Sequence, residues 1–519
     1  MTSLSPAHAC VAFDFATPSL LGVDILSVDA NLVTDYEFDV PTGWRYSQPA
    51  VNVQNATFCN VTVTYTHTDL DDTINVEVWL PEHNWNGRLQ SIGGGGWVAG
   101  RFALTYGGMA GAIHEGYATA TTDAGLGSDF SPVTWGLLGP GNLNMVALNN
   151  FGQASLGEEA HIARHIIESY YGKPPSYSYW NGCSGGGRQA GILAQQYPTA
   201  YDGIIAAAPA LYWAELTVSS IWPAFYMENT KQYPTECELA QLTTLAISAC
   251  DKLDGVEDGL IAEPEQCRRI FDPSNYIGTT FYCPDTRLNA TISSAAASVA
   301  EAIWDGPKFS NGDFLWYGYE IGANLSALAA TTCTQNGTCV PAGWMDLEFY
   351  YQYFVLKDPS ANVTTLTHPQ FDSMYRTLKK VFSSTMQAAD PEIFDFQNSG
   401  GKMITYHGLA DPSITPGSTL HYYEQVNNTV GNAAEFYRYY RVPGLAHCWG
   451  GPGGQPEALF SQLRSWVEEG VAPDASPVKI QLATNNTKDE IICPFPKRAV
   501  FRQDCADFSV LECWSCLLK

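Results

Sequence analysis

The stretch from Ser176 to Pro209, SYSYWNGCSGGGRQAGILAQQYPTAYDGIIAAAP, decides how the rest of the chain is read. Tyr177, Tyr179 and Trp180 have the character of the end of a β-strand, and Arg188 to Tyr197 reads as a helix. Between them stands Gly182-Cys183-Ser184-Gly185-Gly186. Strand, G-x-S-x-G, helix is the setting in which a tight turn holds a serine hydroxyl exposed at the top of a sheet. Bulk next to such a turn is excluded, which accounts for glycine at 182 and 186. A G-x-S-x-G run also arises by chance, so the other parts of a site have to be found elsewhere in the chain.

With 519 residues, 45% of them hydrophobic and 13% aromatic, the chain can bury a large core with an insertion, or two or three domains. Its 53 acidic and 26 basic residues leave a formal charge of −27, which argues against nucleic acid or an anionic membrane as partner. The fourteen cysteines are scattered; Cys513 and Cys516 form the sole C-x-x-C, with no second pair nearby to suggest zinc. N-x-S/T sequons occur at Asn55, Asn60, Asn289, Asn324, Asn336, Asn362, Asn427 and Asn485. Cysteines and sequons together predict a secreted, extracellular protein with disulfides and N-glycans. The opening residues lack a signal-peptide pattern, so a mature or recombinant form is expected. No run of 18 apolar residues is present to span a membrane.

Residues 1–60 read as short apolar runs and turns, with Cys10 and Cys59 available to staple them. Val61 to Pro81 alternates as a hairpin with its turn at Asp71-Asp72, and Arg88 to Ile92 is a strand that runs into Gly93-Gly94-Gly95-Gly96-Trp97. A strand ending in glycines can offer backbone N–H groups to a substrate, as in the oxyanion loop that accompanies a nucleophile elbow. Neither GK[ST] nor GxGxxG spacing follows, so a phosphate loop is not indicated. Tyr117 to Thr122 reads as a strand and Gly152 to Tyr170 as an amphipathic helix. Strands alternating with helices predict an α/β protein with a mostly parallel sheet. The rhythm lapses over 211–395 and returns at Lys402, which predicts a catalytic domain from 1–210 and 396–519 and an inserted lid domain between.

A serine nucleophile needs a base, and the base an orienting acid; in the α/β-hydrolase order these follow as Ser, Asp or Glu, then His, each just after a strand. Asp411 lies after the strand Met403–Tyr406 in HGLADP, and His447 after Phe436–Val442 in PGLAHCWGG. The competitors are weaker: His407 directly ends its own strand and reads equally as a structural residue near the site, and His421 falls in an expected helix. Cys183 precedes Ser184 and Cys448 follows His447. If those two cysteines are bonded, their Cα atoms about 5–6 Å apart hold the serine and histidine close together.

With C-S and H-C adjacencies, YWNGCSGGGRQ, GGGGW, CDKLDGVEDGL, HGLADP and GLAHCWGG, the sequence resembles the tannase and feruloyl esterase family over most of its length. The resemblance implies an α/β-hydrolase core with a large inserted lid, and a Cys183–Cys448 disulfide joining the triad loops. It implies a serine carboxylesterase acting on aromatic acid esters through an acyl-enzyme: Ser184 nucleophile, His447 base, Asp411 acid, and oxyanion donors at Gly185 and, from the glycine run, Gly95. The substrate would be a small aromatic ester or a plant polyphenol or polysaccharide ester, with ferulate-type esters first, galloyl esters as the alternative, and a non-catalytic binding protein on a hydrolase scaffold as the reading from another class. Two motifs depart from the family's usual form, with Asp123-Ala124-Gly125-Leu126 and Ser184-Gly185-Gly186-Gly187 in place of its Asp-Thr-Gly-His and Ser-Thr-Gly-Gly.

The run from Cys250 to Leu260 reads by composition as an acidic solvated turn, and it does not match EF-hand spacing. The resemblance instead implies a structural Ca2+ in the lid, held by the side chains of Asp251, Asp254 and Asp258 and the carbonyls of Val256 and Leu260. A Cys250–Cys267 bridge would brace that loop. No organic cofactor is implied.

Overall fold

The computed structural model describes residues 9–334, 339–342, 348–361, 366–481, 487–502, 504, 505, 507 and 509–518. A nine-stranded sheet forms the centre. Its strands are β1 (Val23–Val40), β2 (Val51–His67), β3 (Ile74–Pro81), β4 (Arg88–Ile92), β5 (Ala118–Thr122), β6 (Tyr177–Cys183), β7 (Gly203–Ala207), β8 (Lys402–Gly408) and β9 (Tyr437–Val442). Across the sheet they run β1-β2-β3-β5-β4-β6-β7-β8-β9. The steps from β1 to β5 are antiparallel and those from β5 to β9 parallel.

The parallel strands β4, β5 and β7 are buried at every position, because helices cover both faces of a parallel sheet. The covering helices before the insertion are α1 (Ala103–His114), α2 (Ser155–Tyr171) and α3 (Gly185–Gln196). The expectation for residues 1–60 is corrected here: β1 and β2 are 18 and 17 residues long. They form a long antiparallel ribbon in which β1 alternates partly buried and exposed positions. Polar and charged residues on the wet face of such a strand break up its apolar signal.

Between Ala207 and Lys402 no strand among the described residues joins the central sheet. This insertion carries helices α4 (Trp213–Thr230), α5 (Glu236–Cys250), α6 (Ser294–Asp305) and α7 (His368–Met386). It divides its packing. Leu239, Leu242, Phe271, Val299 and Ile303 build a separate core, while Trp213, Phe354, Phe371 and Phe382 join Trp97 and Phe151 in the main one. Helices α8 (Pro416–Val430) and α9 (Leu459–Glu469) follow the insertion. Two C-terminal hairpins close the chain outside the central sheet. They reach the insertion through ion pairs of Lys488 with Asp258 and Arg498 with Glu263.

All fourteen cysteines are paired: Cys10–Cys59, Cys183–Cys448, Cys237–Cys283, Cys250–Cys267, Cys333–Cys339, Cys493–Cys516 and Cys505–Cys513. The C-x-x-C cysteines therefore bond elsewhere and not to each other. Asn55, Asn289, Asn324 and Asn427 are exposed, whereas Asn60 is half-buried and its amide donates to Glu77 at 3.0 Å. The sequons at Asn336, Asn362 and Asn485 lie outside the described residues.

Candidate active site

Strand β6 ends at Cys183 and helix α3 starts at Gly185, so Ser184 alone makes the turn, earlier than the helix start read from the sequence. Its backbone sits at φ 61° and ψ −117°, a region that costs a residue with a side chain about 1–3 kcal/mol and persists where the surroundings dictate it. The surroundings are visible. The Ser184 N–H donates to Ala207 at 3.0 Å, and its carbonyl accepts from Arg188 and Ala210 at 2.9 and 3.1 Å. A Cβ on Gly182 would lie 2.5 Å from the Gly186 carbonyl oxygen, so only glycine lets the strand and helix approach this closely. The serine side chain does not cap its helix, and Ser184 and Gly185 are partly accessible where their neighbours are buried.

Strand β8 delivers Asp411 and β9 delivers His447, each in the loop beyond its strand's C-terminal end. The His447 Nδ1 lies 2.7 Å from Asp411 Oδ2. Asp411 is fully buried, and its Oδ1 accepts the N–H groups of Ser413 at 2.7 Å and Ile414 at 3.0 Å. Burial by itself would raise this carboxyl; the imidazoles of His447 and His407 more than reverse that and hold it well below the usual carboxylate range. The Cys183–Cys448 disulfide, with Cα atoms 5.9 Å apart, ties the His447 loop to the serine turn.

The glycine run corrects one assignment. The Gly95 N–H donates to Val98 O at 3.0 Å, so it is not available to an oxyanion. The neighbouring Gly96 is exposed, has φ 56° and abuts Gly185: a Cβ on Gly185 would lie 3.2 Å from the Gly96 nitrogen. Gly96, not Gly95, is thus the candidate to accompany the Gly185 N–H at the start of α3, where the helix dipole also favours negative charge.

The acidic loop places Asp251, Asp254 and Asp258 on one tight turn, with Gly255 at φ 100° and Gly259 at φ 84°. Asp251 Oδ1 accepts from the N–H groups of Asp258 and Gly259 at 2.9 and 3.0 Å, Asp254 from Val256 at 3.0 Å and Asp258 from Leu260 at 3.0 Å. Among the described residues their carboxylate oxygens do not all come within 4.8 Å of one another. The buried Lys488 ammonium instead bonds Asp258 and, at 2.6 Å, Glu490. Desolvation, with Asp251 close by, raises Asp258 despite that lysine, and burial pushes Glu490 up to about 7. The donors are therefore right in kind for a hard cation, and one ammonium leaves surplus negative charge among them.

Several residues were not singled out from the sequence. Gln189, one turn into α3, accepts from the Gly94 N–H at 2.8 Å and donates to the Ala99 carbonyl at 2.9 Å, clamping both ends of the glycine loop. Its signal was its place in GGGRQ, right after the serine. His407, weighed from the sequence only as a weaker competitor or a structural residue near the site, contacts Asp411 directly. Lys488 carried no signal pointing to the acidic loop, since Asp258 lies 230 residues away in the chain.

Fold and site together define a carboxylic ester hydrolase with an α/β-hydrolase core. The chain belongs to the tannase and feruloyl esterase family, whose model matches residues 59–515. It is 36% identical over 499 residues to a "probable feruloyl esterase" of Arthroderma benhamiae, covering 94% of this chain and 90% of that one. It is 28% identical over 560 residues to a tannase of Aspergillus oryzae, covering 96% and 92%. Among solved structures it is similar to tannin acyl hydrolase from Aspergillus niger, with TM-score 0.87, 26% identity, and 98% and 95% of the two chains covered. Among the described residues no helix is long and apolar enough to cross a membrane.

Proposed function

We propose that the chain is a secreted serine carboxylesterase that hydrolyses esters of hydroxycinnamic acids, in the manner of a feruloyl esterase. The observation that carries this is the 2.7 Å bond from His447 to the buried Asp411, on a loop joined by Cys183–Cys448 to the strained serine. Asp411 fixes the imidazole with its proton on Nδ1, which leaves Nε2 to accept the Ser184 hydroxyl proton. Ser184 Oγ bonds the ester carbonyl carbon, and the electron pair of the C=O moves onto oxygen. The N–H groups of Gly185 and Gly96 receive that oxyanion. As the carbonyl reforms, the alcohol leaves with the proton from His447. Water, deprotonated by the same base, then releases the aromatic acid and restores the serine.

The insertion is the proposed lid over this site. Its acidic loop is the proposed Ca2+ site, with the Asp251, Asp254 and Asp258 carboxylates and the Val256 and Leu260 carbonyls as ligands and Lys488 competing for Asp258. The ion would brace the loop and take no part in the chemistry. Secretion and N-glycosylation are supported by the seven disulfides and the exposed sequons.

The likeness to tannin acyl hydrolase favours one second reading, hydrolysis of galloyl esters. Measuring kcat/KM on methyl ferulate, methyl gallate and methyl butyrate separates the two. The proposal expects methyl ferulate to lead. Preference for methyl gallate selects the second reading, and preference for the aliphatic ester overturns both.

A further inference from the structure

Phe130 stands in the stretch Asp123–Phe130, outside the insertion. It follows the departure from the family's usual motif, six positions after Ala124. Its ring edge lies against the glycine loop: a Cβ on Gly96 would come 2.6 Å from Phe130 Cε1 and 3.0 Å from Cδ1. The other side of the contact is the buried Phe102, which meets Phe130 edge-to-face with ring centroids 5.5 Å apart and planes at 61°. A side chain at position 96 would push the ring away, so the glycine that offers a free N–H also admits the phenyl group. Phe130 nevertheless remains 54% exposed.

Isolated exposed apolar side chains are ordinary on protein surfaces. This one differs because two contacts fix its ring, and because it borders the partly accessible Ser184 and Gly185 through Gly96. A fixed aromatic face next to a hydrogen-bond donor is what a site needs to seat a flat, apolar ring while its carbonyl is held nearby. Aliphatic acyl groups gain little from such a face, since they lack a ring to stack.

We propose that Phe130 is a specificity-determining residue, whose exposed ring face stacks on the aromatic ring of the ester held at Ser184. This rests on the esterase reading above and adds to it that selectivity is set in part by the catalytic core's own 123–130 stretch. The ligand class is a planar phenolic acid ester, and no new covalent step is involved.

The test compares wild type, Phe130→Ala and Phe130→Trp on methyl ferulate and methyl butyrate, with thermal stability followed in parallel. Stacking on one ring corresponds to about a tenfold effect. Phe130→Ala is expected to lose roughly tenfold in kcat/KM on methyl ferulate with less than about threefold change on methyl butyrate, and Phe130→Trp to keep the wild-type ratio. Because the readout is a ratio between two substrates, general loss of folded protein cancels. If wild type prefers ferulate and Phe130→Ala keeps that preference, the Phe130 assignment fails while the esterase reading stands. If wild type shows no preference for the aromatic ester, the substrate reading fails and takes the assignment with it.

Discussion

His407 and His447 hydrogen-bond the same oxygen of Asp411, at 3.0 and 2.7 Å. The His407 Nε2 also faces the Ile414 carbonyl at 3.1 Å, so this nitrogen carries the proton, and Nδ1 is left to accept from the Thr419 hydroxyl at 2.8 Å. A second, fully buried imidazole thus shares the Asp411 oxygen that His447 uses.

Removing that donor makes Asp411 more basic, since His407 is among the groups holding it down. His407→Ala is expected to lower kcat by roughly 10-fold or more and to move the acid limb of the pH–rate profile upward, whereas His407→Gln, which keeps a donor, recovers most of the rate. A purely structural histidine would lower thermal stability and leave the acid limb in place. The pH profiles of both variants decide the matter.

Ser184→Ala is expected to lose at least ~10³-fold in kcat, the scale seen when a nucleophile is removed from a triad. Wild type should be labelled stoichiometrically by a fluorophosphonate and the variant should not. Near-normal turnover in Ser184→Ala would remove the serine mechanism.

The double variant Cys183→Ala/Cys448→Ala tests whether the disulfide positions the site. Both cysteines are almost completely buried, and Cys448 itself has φ 62°. Activity is expected to fall more than about tenfold at temperatures where circular dichroism still reports a folded sheet, because the two loops lose their covalent tie. Equal losses of activity and structure would assign the bond to stability alone.

If the acidic loop holds Ca2+, exhaustive chelation should lower the melting temperature and added Ca2+ restore it, by mass action on the folded state. Lys488→Met, which removes the ammonium from Asp258, should increase the Ca2+-dependent part of that shift. Metal analysis of the purified protein gives the stoichiometry directly. A melting temperature indifferent to chelator and calcium would leave Lys488 as the loop's cation.

Glu159 on α2 is buried, and burial pushes it up to about 8 from 4.5 against the opposing pull of the Ser91 hydroxyl. The unfolded chain releases this proton near pH 4.5 while the folded chain keeps it to about pH 8, so stability falls as pH rises through that window. Asp411 works in the opposite sense: it contributes above about pH 4 and its share is lost as acid protonates it. Melting temperature should therefore peak in mildly acidic buffer. Glu159→Gln should flatten the decline toward pH 8, and an unchanged slope would exclude Glu159 as its source.

Much of this site was legible because its parts are local words in the chain. A strand, a glycine-flanked serine and a helix are neighbours in sequence, and Asp411 and His447 each follow their own strand. What escaped depends on which atoms are already engaged. Gly95 and Gly96 are indistinguishable as letters, yet one N–H is taken by Val98. The His407 contact needs the loop after β8 to fold back four residues onto its strand. The long β1–β2 ribbon was missed because its outer face is polar, and the split packing of the insertion follows from aromatic residues whose partner, Trp97, lies far upstream. Departure from a local rule was informative in one place, the strained φ of Ser184, where the surrounding bonds impose what the residue alone would not adopt.

The disulfides differ widely in reach. Cys183–Cys448 spans 265 residues, against at most 49 for the others. It closes the chain into a covalent ring that contains the whole insertion. A single proteolytic cut anywhere between Ser184 and His447 would leave the two pieces linked, with nucleophile and base on opposite fragments beside the bond that joins them. One backbone cut in that ring is all that separates this single chain from a disulfide-linked two-chain form.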